Sequence, residues 1–157
     1  MTERVLDPTD IQIRLAGMDD LDDLLQLCAE HACHEGSAYV VQGKREGLGR
    51  ALFSPSPRLW AWVAQAESGL VGYVTATREF STWQACDFLH MDCLYVCASR
   101  RNVGLGAALL KTVAVHARKL GLQEIQWQTP DWNLAAARFY RRAGATDQRK
   151  LRFSLRL

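Results

Sequence analysis

The sequence predicts an α/β domain with a mixed, twisted central sheet flanked by helices, and three observations predict it. Two runs, residues 59–65 and 70–77, alternate apolar and polar positions around Trp60 and Trp62 and are joined by Glu67-Ser68-Gly69, which reads as a β-hairpin. A short apolar run at 91–97, with β-branched and aromatic residues, reads as a buried strand. It leads through the glycine-bearing turn Arg100-Arg101-Asn102-Val103-Gly104-Leu105-Gly106-Ala107 into an amphipathic helix, and strand, turn, helix is the unit of an α/β fold. With 157 residues, 48% hydrophobic and 23% charged, the chain can bury one sizeable core and is too short for two ordinary domains. One domain over residues 1–157 is expected.

Each element follows in order. Residues 11–15 alternate weakly and make a first strand. Asp19 or Asp20 then caps a helix with Leu21, Leu24, Leu25, Cys28 and Ala32 on its apolar side. That helix ends in the polar cluster Glu30, His31, Cys33, His34 and Glu35 before Gly36, which reads as a solvated helix end. His31 and His34 lie one turn apart, but their order is not a zinc-protease motif and no partner pair stands downstream, so no metal is expected. Residues 43–53 form a second, partly helical segment stopped by Ser54-Pro55-Ser56-Pro57. After the hairpin, a loop over 78–84 that includes Trp83 leads to the central strand. The helix after the glycine turn carries Leu105, Leu109, Leu110, Val113, Ala114, Ala117 and Leu120 and stops at Gly121. Residues 124–128 make a further strand, parallel to the central one across a right-handed crossover. Pro130-Asp131-Trp132-Asn133 opens a last helix closed by Gly144, and residues 151–157 complete the sheet as a final strand.

Composition narrows the function classes. A net charge of +2 exerts no strong pull on nucleic acid, and Arg141, Arg142, Arg149, Lys150 and Arg152 read as a solvated face. No apolar run is long enough for a membrane span and the N-terminus lacks a signal-peptide pattern, so neither a membrane nor a nucleic-acid partner is expected. Five cysteines, an odd number without framework spacing, favour reduced thiols and a cytoplasmic location.

The chemistry of the glycine turn is anion binding. The first N–H groups of a helix have no intrahelical partner and lie at the positive end of its dipole, so a phosphate can dock there. Glycines at 104 and 106 keep Cβ atoms away from those amides, and Arg100 and Arg101 add donors suited to phosphate oxygens. The turn lacks the Lys-Ser/Thr pair of a nucleotide P-loop and the third glycine of the dinucleotide fingerprint.

Read as Arg101-x-x-Gly104-x-Gly106-Ala107, the turn resembles the pyrophosphate motif of the GCN5-related N-acetyltransferases, and Asn133, Ala136, Phe139, Tyr140 and Gly144 fit the later helix of that superfamily. Within it, Ser81-Thr82-Trp83, Leu94-Tyr95-Val96 and Asp131-Trp132-Asn133 resemble the diamine (spermidine/spermine-type) acetyltransferase branch. Glu35 matches the first-helix glutamate of that branch, while its acidic pair reads Asp92-Cys93 here and the aromatic before the glutamate is His34.

The resemblance implies acetyl-CoA as co-substrate, held by Leu94, Tyr95 and Val96, by Arg101, Asn102, Val103, Gly104, Leu105, Gly106 and Ala107, and by Asn133, Ala136, Phe139 and Tyr140. It implies acetyl transfer to a primary amine of a small molecule, a polyamine or other aminoalkyl compound, with Tyr140 as general acid and Asp92 as the second catalytic group. The amine pocket would draw on Glu35, His34, Trp83, Asp92, Gln126 and Gln128, and the protein would be a homodimer. Two other readings stay open: a protein, peptide N-terminal or lysine acetyltransferase, and a CoA-binding sensor without chemistry. Cys93 and Cys97 also leave a covalent acyl-thiol route formally available.

Overall fold

The computed structural model describes residues 10–157, which fall into two compact units divided after Trp127. The first holds a five-stranded sheet in the order β1 (Gln12–Leu15), β2 (Trp60–Ala66), β3 (Gly69–Ser81), β4 (Cys86–Val96), β5 (Ile125–Gln126). The first four strands are antiparallel neighbours, and β5 joins β4 in parallel through Leu89↔Ile125 and His90↔Gln126. The sheet is therefore mixed, as the sequence predicts.

Strand alternation sorts two faces, and each takes a helix. Ala61 and Val63 of β2, Tyr73 of β3 and Tyr95 of β4 share one face and pack with Leu24 and Leu27 of α1 (Leu21–His34). Trp60 and Trp62 point the other way, against His116 of α3 (Leu105–Lys119). Helix α3 buries Leu105, Leu109, Val113 and Ala117, a stripe with one residue per turn. It ends at Gly121 with the Leu122 N–H donating to the Ala117 carbonyl at 2.9 Å and the Gly121 N–H to Arg118 at 3.0 Å, the paired closure expected of a left-handed C′ residue. Helix α2 (Lys44–Phe53) contributes half-buried Leu48 and Leu52 beside the α1 face.

Three departures from the predicted elements have physical causes. The loop expected over 78–84 is mostly strand: β3 runs to Ser81 and β4 starts at Cys86, leaving a turn at 82–85. Arg78, Glu79 and Phe80 are all exposed, so this arm of the hairpin is wet on both faces and shows no alternation to read. Asp20 does precede α1, but its carboxylate accepts from the Gly17 N–H at 2.6 Å and from the Arg14 guanidinium at 2.6 and 2.8 Å instead of capping a helical N–H. The fork with Arg14 holds the Asp20 carboxyl below its usual range. Finally, β5 is shorter than the strand expected over 124–128.

The second unit carries α4 (Leu134–Arg142), opened by Asn133, whose Oδ1 accepts from the Ala136 N–H at 3.1 Å. Residues 151–157 form no strand. Leu151, Phe153, Leu155 and Leu157 are exposed there, and alternation alone makes no strand without a neighbouring ladder to bond.

Candidate active site

The site starts at an irregularity in β4. Thr75 pairs with Cys93 and Ala76 with Met91, so Asp92 is an extra residue, a bulge, and it is exposed. The Thr75 hydroxyl accepts the Cys93 N–H at 3.2 Å across this break. On its other edge β4 pairs with β5 only at Leu89 and His90, so the peptide groups of Leu94, Tyr95 and Val96 lie beyond that ladder. Strand edges that splay in this way offer N–H and C=O groups to a ligand.

After β4, a single short turn (Ala98–Arg100) leads to Arg101, Asn102 and Gly104. Asn102 and Gly104 adopt positive φ, 63° and 84°. No side chain caps α3 and its first turn holds no acidic residue, so its N–H groups and the positive end of its dipole are unopposed by the protein. A Cβ built on Gly104 would meet nothing within 4 Å, so that side of the turn is open. Arg101 is half-buried: its Nε donates to the Val96 carbonyl at 2.9 Å and its guanidinium lies 5.5 Å from the Tyr95 ring centroid. Val103 and Ala107 are exposed and Leu105 is buried, so of the predicted turn residues Leu105 serves the core.

The C-terminal turns of α1 bring a polar network onto the same sheet face. His31 Nδ1 lies 3.0 Å from the Tyr73 hydroxyl and its Nε2 3.2 Å from Glu35 Oε1. The His31 ring stacks on Tyr95 at 5.2 Å, and His34 lies 6.4 Å from the same ring. Glu30 accepts from the Tyr95 hydroxyl at 3.5 Å and from the Cys97 thiol at 3.6 Å. Burial is the first cause of every pKa shift here: it pushes His31 down, with Glu35 and Asp92 pulling the other way, and pushes the Tyr73 hydroxyl strongly up. Of the two carboxylates, Glu35 touches the imidazole directly. Burial, reinforced by Asp92, raises the Cys93 thiol to about 12, and burial with Glu30 raises Cys97.

Trp83 stands at the tip of the β3–β4 hairpin, 96% exposed. Gln126 is engaged locally, its Nε2 donating to Glu124 Oε1 at 3.1 Å, and Gln128 is an exposed residue of the second unit. In that unit the Phe139 and Tyr140 rings lie 5.0 Å apart, and Tyr140 is half-buried. Among the described residues no group of three or more His, Cys, Asp or Glu side chains is arranged to hold a metal, and no helix is long and apolar enough to cross a membrane.

Sequence reasoning missed Tyr73 and Glu30, and took His31 for part of a solvated end. The signal was the register: Leu24, Leu27, Cys28, His31 and Glu35 continue one stripe of α1 at helical spacing.

Comparison with known proteins identifies the family. The family model described as "Acetyltransferase (GNAT) family" matches residues 18–145. The thialysine N-epsilon-acetyltransferase of Bos taurus is 28% identical over 145 residues, covering 87% of this chain and 85% of that protein. The L-ornithine N5-acetyltransferase of Arabidopsis thaliana is 30% identical over 76 residues, 48% of this chain and 33% of its own. Among solved structures, an aminoglycoside acetyltransferase from an uncultured soil metagenomic sample superposes with a TM-score of 0.81 at 18% identity, covering 96% of this chain and 98% of that one, which shows a shared fold. The chain belongs to the acetyltransferase (GNAT) family and is an acetyl-CoA-dependent N-acetyltransferase.

Proposed function

We propose that the protein acetylates a primary amine of a small aminoalkyl compound, a polyamine or a lysine-like amine. One observation carries the reading: the bulge leaves Asp92 exposed on β4, and His31, stacked on Tyr95 of the same strand, holds Glu35 at 3.2 Å from its Nε2. Two carboxylates there suit an acceptor that carries positive charge. The relatives named for thialysine and ornithine, both amino compounds, support the same class.

The residues present fit acetyl-CoA. An uncapped helix start, a positive-φ glycine open on its outer side and a neighbouring arginine suit a pyrophosphate, so Arg101, Asn102, Val103, Gly104, Leu105, Gly106 and Ala107 would hold that arm, Leu105 through backbone alone. Peptide groups of Leu94, Tyr95 and Val96 would hold the extended arm, with Asn133, Ala136, Phe139 and Tyr140 as the further contacts. When bound, acetyl-CoA supplies an activated acetyl thioester.

What the chain must add follows from the acceptor. An alkylamine with a reference pKa near 10.4 is only about one part in a thousand neutral near neutral pH, roughly 4 kcal/mol against the nucleophile. Asp92 binds the reacting ammonium and passes its proton on through water, while Glu35 supplies opposite charge to a second ammonium. Backbone N–H groups along 94–96 meet developing negative charge on the carbonyl oxygen. Tyr140, a phenol and so an available proton donor, gives a proton to the departing sulfur. The raised Cys93 and Cys97 thiols are poor nucleophiles, which favours direct transfer over an acyl-thiol. The same reading includes a homodimer, with a small-molecule amine and a second copy as partners, and a cytoplasmic location in keeping with five free cysteines.

The test is release of free CoA from acetyl-CoA with spermidine, putrescine, lysine-like amines and short peptides, alongside thermal shift by CoA. Release with a small amine is expected. Release with peptides alone would move the assignment to a protein acetyltransferase, and a thermal shift with no release would favour a sensor.

A further inference from the structure

We propose that Tyr73 and His31 form a positioning pair that fixes the Glu35 carboxylate for an acceptor with a second cationic group. The inference rests on reading Glu35 as an ammonium-binding residue. Its basis is a directional chain of hydrogen bonds that runs from the core to the site. Tyr73 is fully buried and its hydroxyl lies 3.0 Å from His31 Nδ1; His31 Nε2 lies 3.2 Å from Glu35 Oε1.

The direction follows from the partners. Glu35, as a carboxylate, can only accept, so the hydrogen facing it sits on Nε2. A neutral imidazole then has Nδ1 as its acceptor, and the buried Tyr73 hydroxyl, which burial keeps protonated, donates to it. The carboxylate thus sets the tautomer, and the buried Tyr73 hydroxyl supplies the donor that the free Nδ1 lone pair then requires. Stacking on Tyr95 at 5.2 Å and 21° restrains the imidazole plane. Exposure rises along the chain, with the His31 side chain 15% and the Glu35 side chain 34% accessible, so the pair stays inside while the carboxylate reaches the surface. Oε1 is held from behind, and among the described residues no hydrogen bond engages Oε2, which is left for a cation.

A purely structural role would be served more cheaply here. His31 continues the stripe of Leu24, Leu27 and Cys28, where an apolar side chain would bury without desolvating an imidazole. The polar chain instead has its outer end at the carboxylate.

The experiment uses the full chain and two acceptors, putrescine and its monoamine counterpart n-butylamine, with the tautomer of His31 read separately by long-range 1H–15N NMR. Wild type should show the Nε2–H tautomer and a lower KM for putrescine than for n-butylamine. Tyr73→Phe, which keeps the ring, should mix the tautomers and raise KM for putrescine about two- to tenfold, the loss of one positioned hydrogen bond. In that variant kcat, KM for acetyl-CoA and KM for n-butylamine should stay within about twofold, because only the second cation is affected. His31→Leu should repeat the effect, and His31→Gln, which restores an N–H donor, should recover part of it.

Glu35→Gln separates the two levels. If it raises KM for putrescine while Tyr73→Phe and His31→Leu do not, the pair is overturned and the Glu35 reading survives. If Glu35→Gln also leaves KM unmoved, or if putrescine is no acceptor, the Glu35 reading falls and the pair falls with it. An Nδ1–H tautomer in wild type overturns the pair irrespective of turnover.

Discussion

His116 shows how much chemistry one side chain can carry without taking part in catalysis. It lies edge-on to Trp60 and Trp62, with ring centroids at 4.8 and 4.9 Å, and its Nε2 is buried without a hydrogen-bond partner among the described residues. Burial, aided by Lys119, depresses its pKa, and burial depresses His31 as well. The unfolded chain therefore takes up these protons near pH 6.5, before the folded chain does, so stability is full above that value and is lost as pH falls through the lower folded pKa values. Asp20, held low by Arg14, contributes its own loss only further down, in the carboxylate range. Urea midpoints should thus decline between about pH 7 and pH 5, and His116→Phe, which keeps a ring between the tryptophans, should show a shallower decline. An equal slope in that variant would remove His116 from the account. The second residue-scale prediction concerns Tyr140. Replacing it with Phe keeps the ring against Phe139 and deletes the hydroxyl; kcat should fall about tenfold or more while KM for acetyl-CoA stays within about twofold. Unchanged kcat in steady-state assays would sink the general-acid role. Tyr140 and Glu35 were visible in the sequence through the motifs that carry the resemblance, whereas His31 has the composition of any solvated helix end and reveals itself only when its register is followed inward.

At the scale of elements, the glycines of β3 and of the α3 turn do different work. Gly72 faces Val96 in the β3–β4 ladder, and a Cβ there would sit 2.9 Å from the Tyr95 carbonyl oxygen, with Leu109 of α3 at 3.5 Å. That contact is backbone and cannot swing aside, so Gly72→Ala should destabilise by about 1–3 kcal/mol in urea unfolding. A neutral result would mean that the strand and α3 can separate at this point. Gly104 has open space around it, and its constraint is φ of 84° at the helix start. Gly104→Ala should cost about 1–2 kcal/mol for the left-handed backbone, and where the chain relaxes to avoid that cost the first N–H groups of α3 turn away. Acetyl-CoA affinity, measured by calorimetry, should then weaken several-fold; unchanged affinity would show that those amides do not hold the pyrophosphate. The strand, turn and α3 were legible because buried stripes and glycine punctuation are local signals. The β4 bulge at Asp92 was not, since it exists only as a mismatch between two strands far apart in sequence, Thr75 opposite Cys93 and Ala76 opposite Met91. The arm of β3 and β4 was hidden for another reason: Arg78, Glu79 and Phe80 on its β3 side are all exposed, and the Arg78–Asp87 ion pair that crosses it has no periodicity.

For the whole molecule, the sequence carried the mixed sheet and the placement of α1 and α3, while residues 151–157 mark where local pattern ceases to determine structure. Leu151, Phe153, Leu155 and Leu157 alternate with Arg152, Ser154 and Arg156 as a strand would, yet the four apolar side chains are between 82% and 115% exposed. Burying a side chain of this kind is worth about 1.5–3 kcal/mol, so four left in water amount to a substantial driving force for pairing. A period of two suits a partner that supplies both a ladder and an apolar face, and a second copy of the chain offers one in the homodimer proposed above. Light scattering should accordingly give twice the 17.7 kDa chain mass across a range of concentrations. Phe153→Asp combined with Leu155→Asp should shift the population to single chains, because two charges on that face would be desolvated on pairing. A wild-type chain that scatters as a monomer at every concentration would refute the dimer. A dimer unmoved by the two aspartates would place its interface elsewhere; where the variant does separate, CoA release by the single chains shows whether one copy holds a complete site.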